Sequence, residues 1–108
     1  MSDDLELKSF EIISNVGSAR SYYIEAIAFA KKYDFDSAEK SIANGVEAFN
    51  AGHKAHSDLV SREASGEKTP FSLILMHAED QLMSAESFKI IATEFIELYK
   101  KLFNNNLG

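Results

Sequence analysis

Four polar side chains interrupt an apolar stretch in the last third of the chain. His77, Asp80, Ser84 and Ser87 follow one another at steps of three or four residues, which places them within roughly 80° of one another on a helix that turns ~100° per residue. The carboxylate of Asp80 can approach the imidazole of His77 at this spacing and orient it for chemistry at a ring nitrogen. A structural polar pair has the same pattern, so periodicity alone leaves both interpretations open.

Two further histidines have the spacing of metal ligands. His53 and His56 lie three residues apart in a helical segment and can share a metal ion if a third ligand is present. Asp80 supplies that ligand only if the second and third helices face each other there. A structural or surface role for both histidines is the competing interpretation. Because the chain has no cysteine, a thiolate nucleophile, a disulfide and a cysteine metal site are excluded.

Charge excludes two classes of partner. The net charge is -6, and the basic residues are scattered rather than gathered in a patch. Such a chain repels nucleic acid and anionic lipid, so we expect no nucleic-acid partner. Because apolar residues alternate with charged ones throughout the sequence, we also expect no membrane insertion. The N-terminus is acidic and lacks the apolar run of a signal peptide, which predicts a cytoplasmic protein.

These side chains must be positioned by helices. The 108 residues suit one domain, 1–108, and the spacing of apolar residues predicts helices over about 3–32, 36–64 and 70–103. The last helix is expected to start at Thr69-Pro70, a hydroxyl cap followed by a proline in the first turn. Hairpin signals are absent from the sequence. We therefore predict an all-α, antiparallel three-helix bundle.

The third helix is apolar on almost every side between Phe71 and Met83. Two partner helices within one chain cover only part of such a circumference. We therefore expect other copies of the chain to pack against the remaining apolar surface of this helix.

The run Leu73-Ile74-Leu75-Met76-His77-Ala78-Glu79-Asp80-Gln81-Leu82-Met83 closely resembles the signature of the lactose/cellobiose-specific enzyme IIA family of the bacterial sugar phosphotransferase system. The resemblance covers nearly the whole chain, including the Glu63-Ala64-Ser65-Gly66 turn and the Thr69 helix start. It implies a three-helix bundle that forms homotrimers. It also implies that His77 accepts a phosphoryl group from the carrier HPr and passes it to a cysteine of enzyme IIB.

The same resemblance implies a metal site and a class of sugar. Asp80 matches an aspartate near the trimer axis, where three copies share a divalent cation such as Mg²⁺. Lactose-type relatives often read His-Ala-Gln-Asp-His, from which Glu79 and Gln81 depart. We therefore favour a cellobiose, β-glucoside or chitooligosaccharide substrate for the system, with a lactose-type sugar as the alternative. The alternative hypothesis is a non-catalytic helical adaptor whose polar stripe sets the register of an oligomer.

Overall fold

The computed structural model describes residues 2–107, and the side chains of 4–105. Three helices follow one another: α1 (Ser2–Lys31), α2 (Phe35–Ala64) and α3 (Leu73–Leu107). No strand occurs within this part of the chain, and the predicted all-α three-helix fold is confirmed. The short connections make neighbouring helices antiparallel, and the bundle measures 60 × 20 × 19 Å.

Helix α1 is the centre of the bundle, because it packs along both other helices while α2 and α3 touch each other less. Its buried positions alternate between steps of three and four residues, which keeps them on one side of the helix. These positions are Leu5, Ser9, Ile12, Val16, Ala19, Tyr23, Ala26 and Ala30. The helical spacing predicted for α1 is confirmed.

The turn between α1 and α2 is tight and carries its own caps. Tyr33 has a φ of 62°, and the N–H groups of Tyr33 and Asp34 donate to the carbonyls of Ala30 and Phe29. These two bonds satisfy two carbonyls in the last turn of α1. The Asp34 side chain then accepts the N–H of Ser37 at 3.2 Å and caps α2.

The connection between α2 and α3 sets where α3 begins. Gly66 has a φ of 105°, which ends α2 in a conformation that favours glycine. The Ser72 hydroxyl accepts the N–H of Leu75 at 3.2 Å, so α3 begins at Leu73. The predicted start at Pro70 is wrong, because Ser72 rather than Thr69 supplies the cap.

Small side chains let α3 lie close to the rest of the bundle. We call its buried side the inner face, formed by Leu75, Ala78, Leu82, Ala85, Ala92 and Ile96. Three of the six are alanines at intervals of seven residues, so one line along this side of the helix carries only small side chains over about four turns. The inner face packs against the buried residues of α1 and α2 in three core clusters.

The bundle leaves much of its surface in contact with solvent. Its accessible surface is 6999 Å², whereas a compact protein of 12.0 kDa exposes about 6000 Å². The excess follows from the elongated shape and from large apolar side chains that the bundle does not cover. Many of these lie on α3, opposite the inner face.

Candidate functional site

His77 lies in the second turn of α3, on the side that faces away from the bundle. We call this side the outer face, formed by Leu73, Met76, His77, Asp80, Met83, Ser87, Ile90 and Ile91, all of which are exposed. Ser84 lies on the same side of the helix but is partly buried. The structure therefore places the predicted polar stripe along one side of α3, where the imidazole is open to another molecule.

The predicted contact between His77 and Asp80 is not formed. Neither side chain has a hydrogen bond or an ion pair within the described residues. Both project from the outer face, where Asp80 is solvated and needs no cation inside the chain. The orienting role that we expected for Asp80 toward His77 is thus wrong for the single chain.

Large apolar side chains flank the polar stripe. Leu73 is 74% exposed, Met83 is 70% exposed and Ile90 is 62% exposed. Large exposed apolar side chains repeated along one side of a helix are typical of a surface that binds another protein surface. The expectation that α3 carries more apolar residues than its own chain buries is confirmed.

Two residues of the signature turn toward the other helices instead. Glu79 lies against α2, where its Oε1 is 3.3 Å from Nε2 of His56. Gln81 lies on the α1 side, where its Oε1 accepts a hydrogen bond of 3.5 Å from Nη1 of Arg20. The site is therefore linked to both neighbouring helices through the residues directly before and after Asp80.

Arg20 is the residue of this site that sequence reasoning missed. Its guanidinium lies 4.8 Å from the centre of the Phe88 ring. A local signal existed, because no acidic residue stands three or four positions from Arg20 on either side. An arginine in a long helix without such a neighbour has no local ion pair. Its contact with α3, however, appears only in the folded chain.

The histidines of α2 do not form a metal site together. The ring of His53 stacks on Phe49 with centroids 6.0 Å apart, while His56 pairs with Glu79. Among the described residues, no group of three or more histidine, cysteine, aspartate or glutamate side chains has the geometry to hold a metal ion. The hypothesis that His53, His56 and Asp80 share a cation in one chain is wrong, since these side chains have separate surroundings.

Residues 7–100 match the family described as "PTS system, Lactose/Cellobiose specific IIA subunit". The chain belongs to this family. It is 40% identical to the lichenan-specific phosphotransferase enzyme IIA component of Bacillus subtilis strain 168, over 94% of this chain and 93% of that protein. It is 38% identical to the lactose-specific EIIA component of a Staphylococcus epidermidis strain, over 92% of this chain and 95% of that protein.

A solved structure agrees with this assignment. The cellobiose-specific enzyme IIA from Bacillus anthracis superposes with a TM-score of 0.89 at 43% identity, covering 91% of this chain and 90% of that one. The IIA family assignment makes the chain a phosphotransfer component of a sugar phosphotransferase system. Within residues 2–107, none of the three helices has the length and apolar character needed to span a membrane.

Proposed function

We propose that this IIA protein carries a phosphoryl group on His77, which it accepts from phospho-HPr and passes to a cysteine of enzyme IIB. The observation that supports the proposal is the exposure of His77 on the outer face of α3, within the signature of the family. Transfer between two proteins requires a ring nitrogen that each partner can approach in line. An exposed imidazole on the surface of a helix meets that requirement.

Both steps exchange one bond to phosphorus for another. In the first step, the lone pair of a His77 ring nitrogen forms a new P–N bond while the P–N bond in phospho-HPr breaks, and the HPr imidazole keeps its electron pair. In the second step, a thiolate of enzyme IIB forms a P–S bond and the His77 nitrogen recovers its pair. Positioning and charge neutralisation supply most of the catalysis in such transfers.

We propose that two further copies of the chain cover the outer face, giving a homotrimer. The apolar side chains on α3 support this, because three helices that meet along one side bury Leu73, Met83 and Ile90 together. His77 and Asp80 would then lie at or beside an interface between chains. Phosphorylation at such a place depends on assembly as well as on the motif.

In the trimer, Asp80 is the residue placed to hold a divalent cation, Mg²⁺ by preference for oxygen ligands. One chain offers a single exposed carboxylate at this point, so a site forms only when three copies bring their carboxylates together. The cation would neutralise the repulsion among the three charges. This role concerns assembly and is separate from the transfer at His77.

We propose that the system takes up a β-linked oligosaccharide, such as cellobiose, another β-glucoside or a chitooligosaccharide, with a lactose-type sugar as the alternative. Glu79 and Gln81 support this preference, because they depart from the lactose-type signature. The IIA protein itself does not bind the free sugar in this scheme. Its partners determine which sugar is transported.

The central experiment is phosphorylation by enzyme I, HPr and phosphoenolpyruvate. The wild-type chain should take up an acid-labile, alkali-stable phosphate, and His77→Ala should lose essentially all of it. His53→Ala is the matched control, because it removes another exposed histidine and should label fully. Full labelling of His77→Ala would exclude the proposal and favour the adaptor hypothesis.

The assembly proposal is tested by Asp80→Leu, with native mass spectrometry in the presence and absence of a chelator. Chelation should weaken the wild-type trimer, whereas Asp80→Leu should assemble equally well in both conditions. Replacing mutually repelling carboxylates by apolar side chains should stabilise association by about 1–4 kcal/mol. A large loss of trimer in Asp80→Leu would contradict an axial carboxylate.

A further inference from the structure

Arg20 is a partly buried cation that has no anionic partner. Its Nε is buried and makes no hydrogen bond, and no carboxylate pairs with the guanidinium within the described residues. Two contacts hold the side chain against α3: the ring of Phe88, 4.8 Å away, and Oε1 of Gln81, 3.5 Å from Nη1. Burying a charge without a counter-ion costs stability. The position therefore calls for a role beyond packing.

The chemistry of the two side chains fixes how Gln81 is oriented. A guanidinium has only donors, so the carboxamide of Gln81 must turn its oxygen toward Arg20. The NH₂ group of the same carboxamide then points away from Arg20 and keeps both of its hydrogens available. The contact with Arg20 therefore leaves the NH₂ group of Gln81 free to donate to another acceptor.

One candidate acceptor is a phosphoryl group on the side chain one turn earlier. Gln81 follows His77 by four residues on α3, and side chains at that spacing have Cβ atoms about 5–6 Å apart on one face. Long side chains on a helix lean toward its N-terminus, which carries the Gln81 carboxamide toward His77. Asp80 is an acceptor when ionised and offers no donor, and Glu79 faces His56 on α2.

We propose that Gln81 donates its carboxamide N–H to a phosphoryl oxygen on His77, and that Arg20 is a positioning residue that holds Gln81 in this orientation. The inference rests on the proposed function, since it assigns a role within the phosphorylated state of His77. The phosphoryl oxygens need donors once they leave water. Gln81 supplies one from the same helix, and Arg20 acts through it from α1.

The test measures two properties of the phosphorylated protein: the equilibrium constant for phosphoryl exchange with HPr and the rate at which isolated phospho-IIA loses phosphate. Gln81→Leu should lower the equilibrium constant about five-fold, the size of one net hydrogen bond, and should speed hydrolysis. Gln81→His retains a ring N–H donor and should recover to within about two-fold of wild type. Melting curves and native mass spectra of each variant verify the fold and the assembly.

A double-mutant cycle tests the positioning role of Arg20. Arg20→Met keeps an apolar stem over Phe88 and should lower the equilibrium constant about three-fold in the wild-type background, but should change nothing in the Gln81→Leu background. Arg62→Met is the matched control, because it removes an arginine that pairs with Asp4 and should leave the constant unchanged.

Several results would overturn the inference. Equal equilibrium constants for phosphoryl exchange in wild type and Gln81→Leu would contradict the role of Gln81. An effect of Arg20→Met that persists in the Gln81→Leu background would contradict the positioning role of Arg20. Loss of the assembly in Arg20→Met with normal phosphorylation would assign Arg20 to a carboxylate of a neighbouring copy instead. If Arg20→Met does not fold, the equilibrium constants of Gln81→Leu and Gln81→His still test whether Gln81 donates to the phosphoryl group. Failure of the wild-type chain to label at His77 would overturn the proposed function itself, which keeps the two failures distinct.

Discussion

The two sides of α3 have opposite characters although they share one helix. The inner face is narrow, rich in alanine and closed by α1 and α2. The outer face carries larger apolar side chains together with His77 and Asp80, and it is open. Within one chain, the inner face supplies all the buried apolar side chains of α3. The outer face therefore leaves His77 and Asp80 exposed among large apolar side chains.

The sharpest test of this comparison is a pair of truncations at neighbouring positions. Leu82→Ala removes a side chain that is 8% exposed, while Met83→Ala removes one that is 70% exposed. Leu82→Ala should lower the free energy of unfolding by about 2–5 kcal/mol, because it leaves a cavity in the core. The melting temperatures of both variants are measured by thermal unfolding at several protein concentrations.

Met83→Ala serves as the control and should respond to concentration. If the outer face is covered by other copies, this substitution destabilises the protein mainly through weaker association, so its melting temperature shifts most in dilute samples. Leu82→Ala should lower the melting temperature at every protein concentration. A concentration-independent loss in Met83→Ala equal to that of Leu82→Ala would contradict the division of α3 into two faces.

Much of this division is predictable from the sequence. The buried side of α1 follows from apolar residues at steps of three and four, from Leu5 to Ala30, because helical geometry alone places them together. The surplus of apolar residues on α3 is visible in the same way. The proposal that His77 carries a phosphoryl group comes from family resemblance, since a polar stripe on a helix is compatible with several kinds of chemistry.

Other features depend on contacts that no local pattern encodes. Thr69 and Ser72 are both capable caps, and α3 begins at Leu73 because the Ser72 hydroxyl reaches the N–H of Leu75. Likewise, the meeting of Arg20 with Gln81 joins residues 61 positions apart. Such pairs are determined by the register of one helix against another, which composition and spacing leave open.

The contrast between closed and open faces extends to two glycines. A Cβ added to Gly45 on α2 would lie 2.8 Å from Cδ1 and 3.1 Å from Cζ of Tyr23, the largest fully buried side chain. A Cβ added to Gly17 on α1 meets nothing within 4 Å. Gly45→Ala should therefore destabilise the protein by about 1–3 kcal/mol, since the Tyr23 ring cannot move away.

Gly17→Ala is the matched control for this prediction. Alanine is a better helix former than glycine by about 0.5–1 kcal/mol, so this variant should be more stable than wild type in chemical denaturation. A loss of stability in Gly17→Ala would indicate that the open side of α1 is closed by another copy of the chain. Equal effects of the two substitutions would contradict the packing of Tyr23 on Gly45.

The smallest expected effect concerns an ion pair on the solvent side of the bundle. Arg62 donates a hydrogen bond to Asp4, and this bond holds the pKa of Asp4 below its usual value of 3.8. Because the pKa is lower in the folded chain than in the unfolded one, the pair stabilises the fold above that usual value, and the contribution disappears as pH falls through the folded-state pKa.

Melting temperatures of wild type and Asp4→Asn measure this contribution between pH 7 and about pH 2. The advantage of the wild-type chain should stay constant down to about pH 5 and then shrink as Asp4 takes up its proton. It should be small throughout, because both side chains are solvated. In an Arg62→Gln background, Asp4→Asn should have almost no further effect. A wild-type advantage that grew toward low pH would contradict the pair, since it would require a raised rather than a lowered pKa of Asp4.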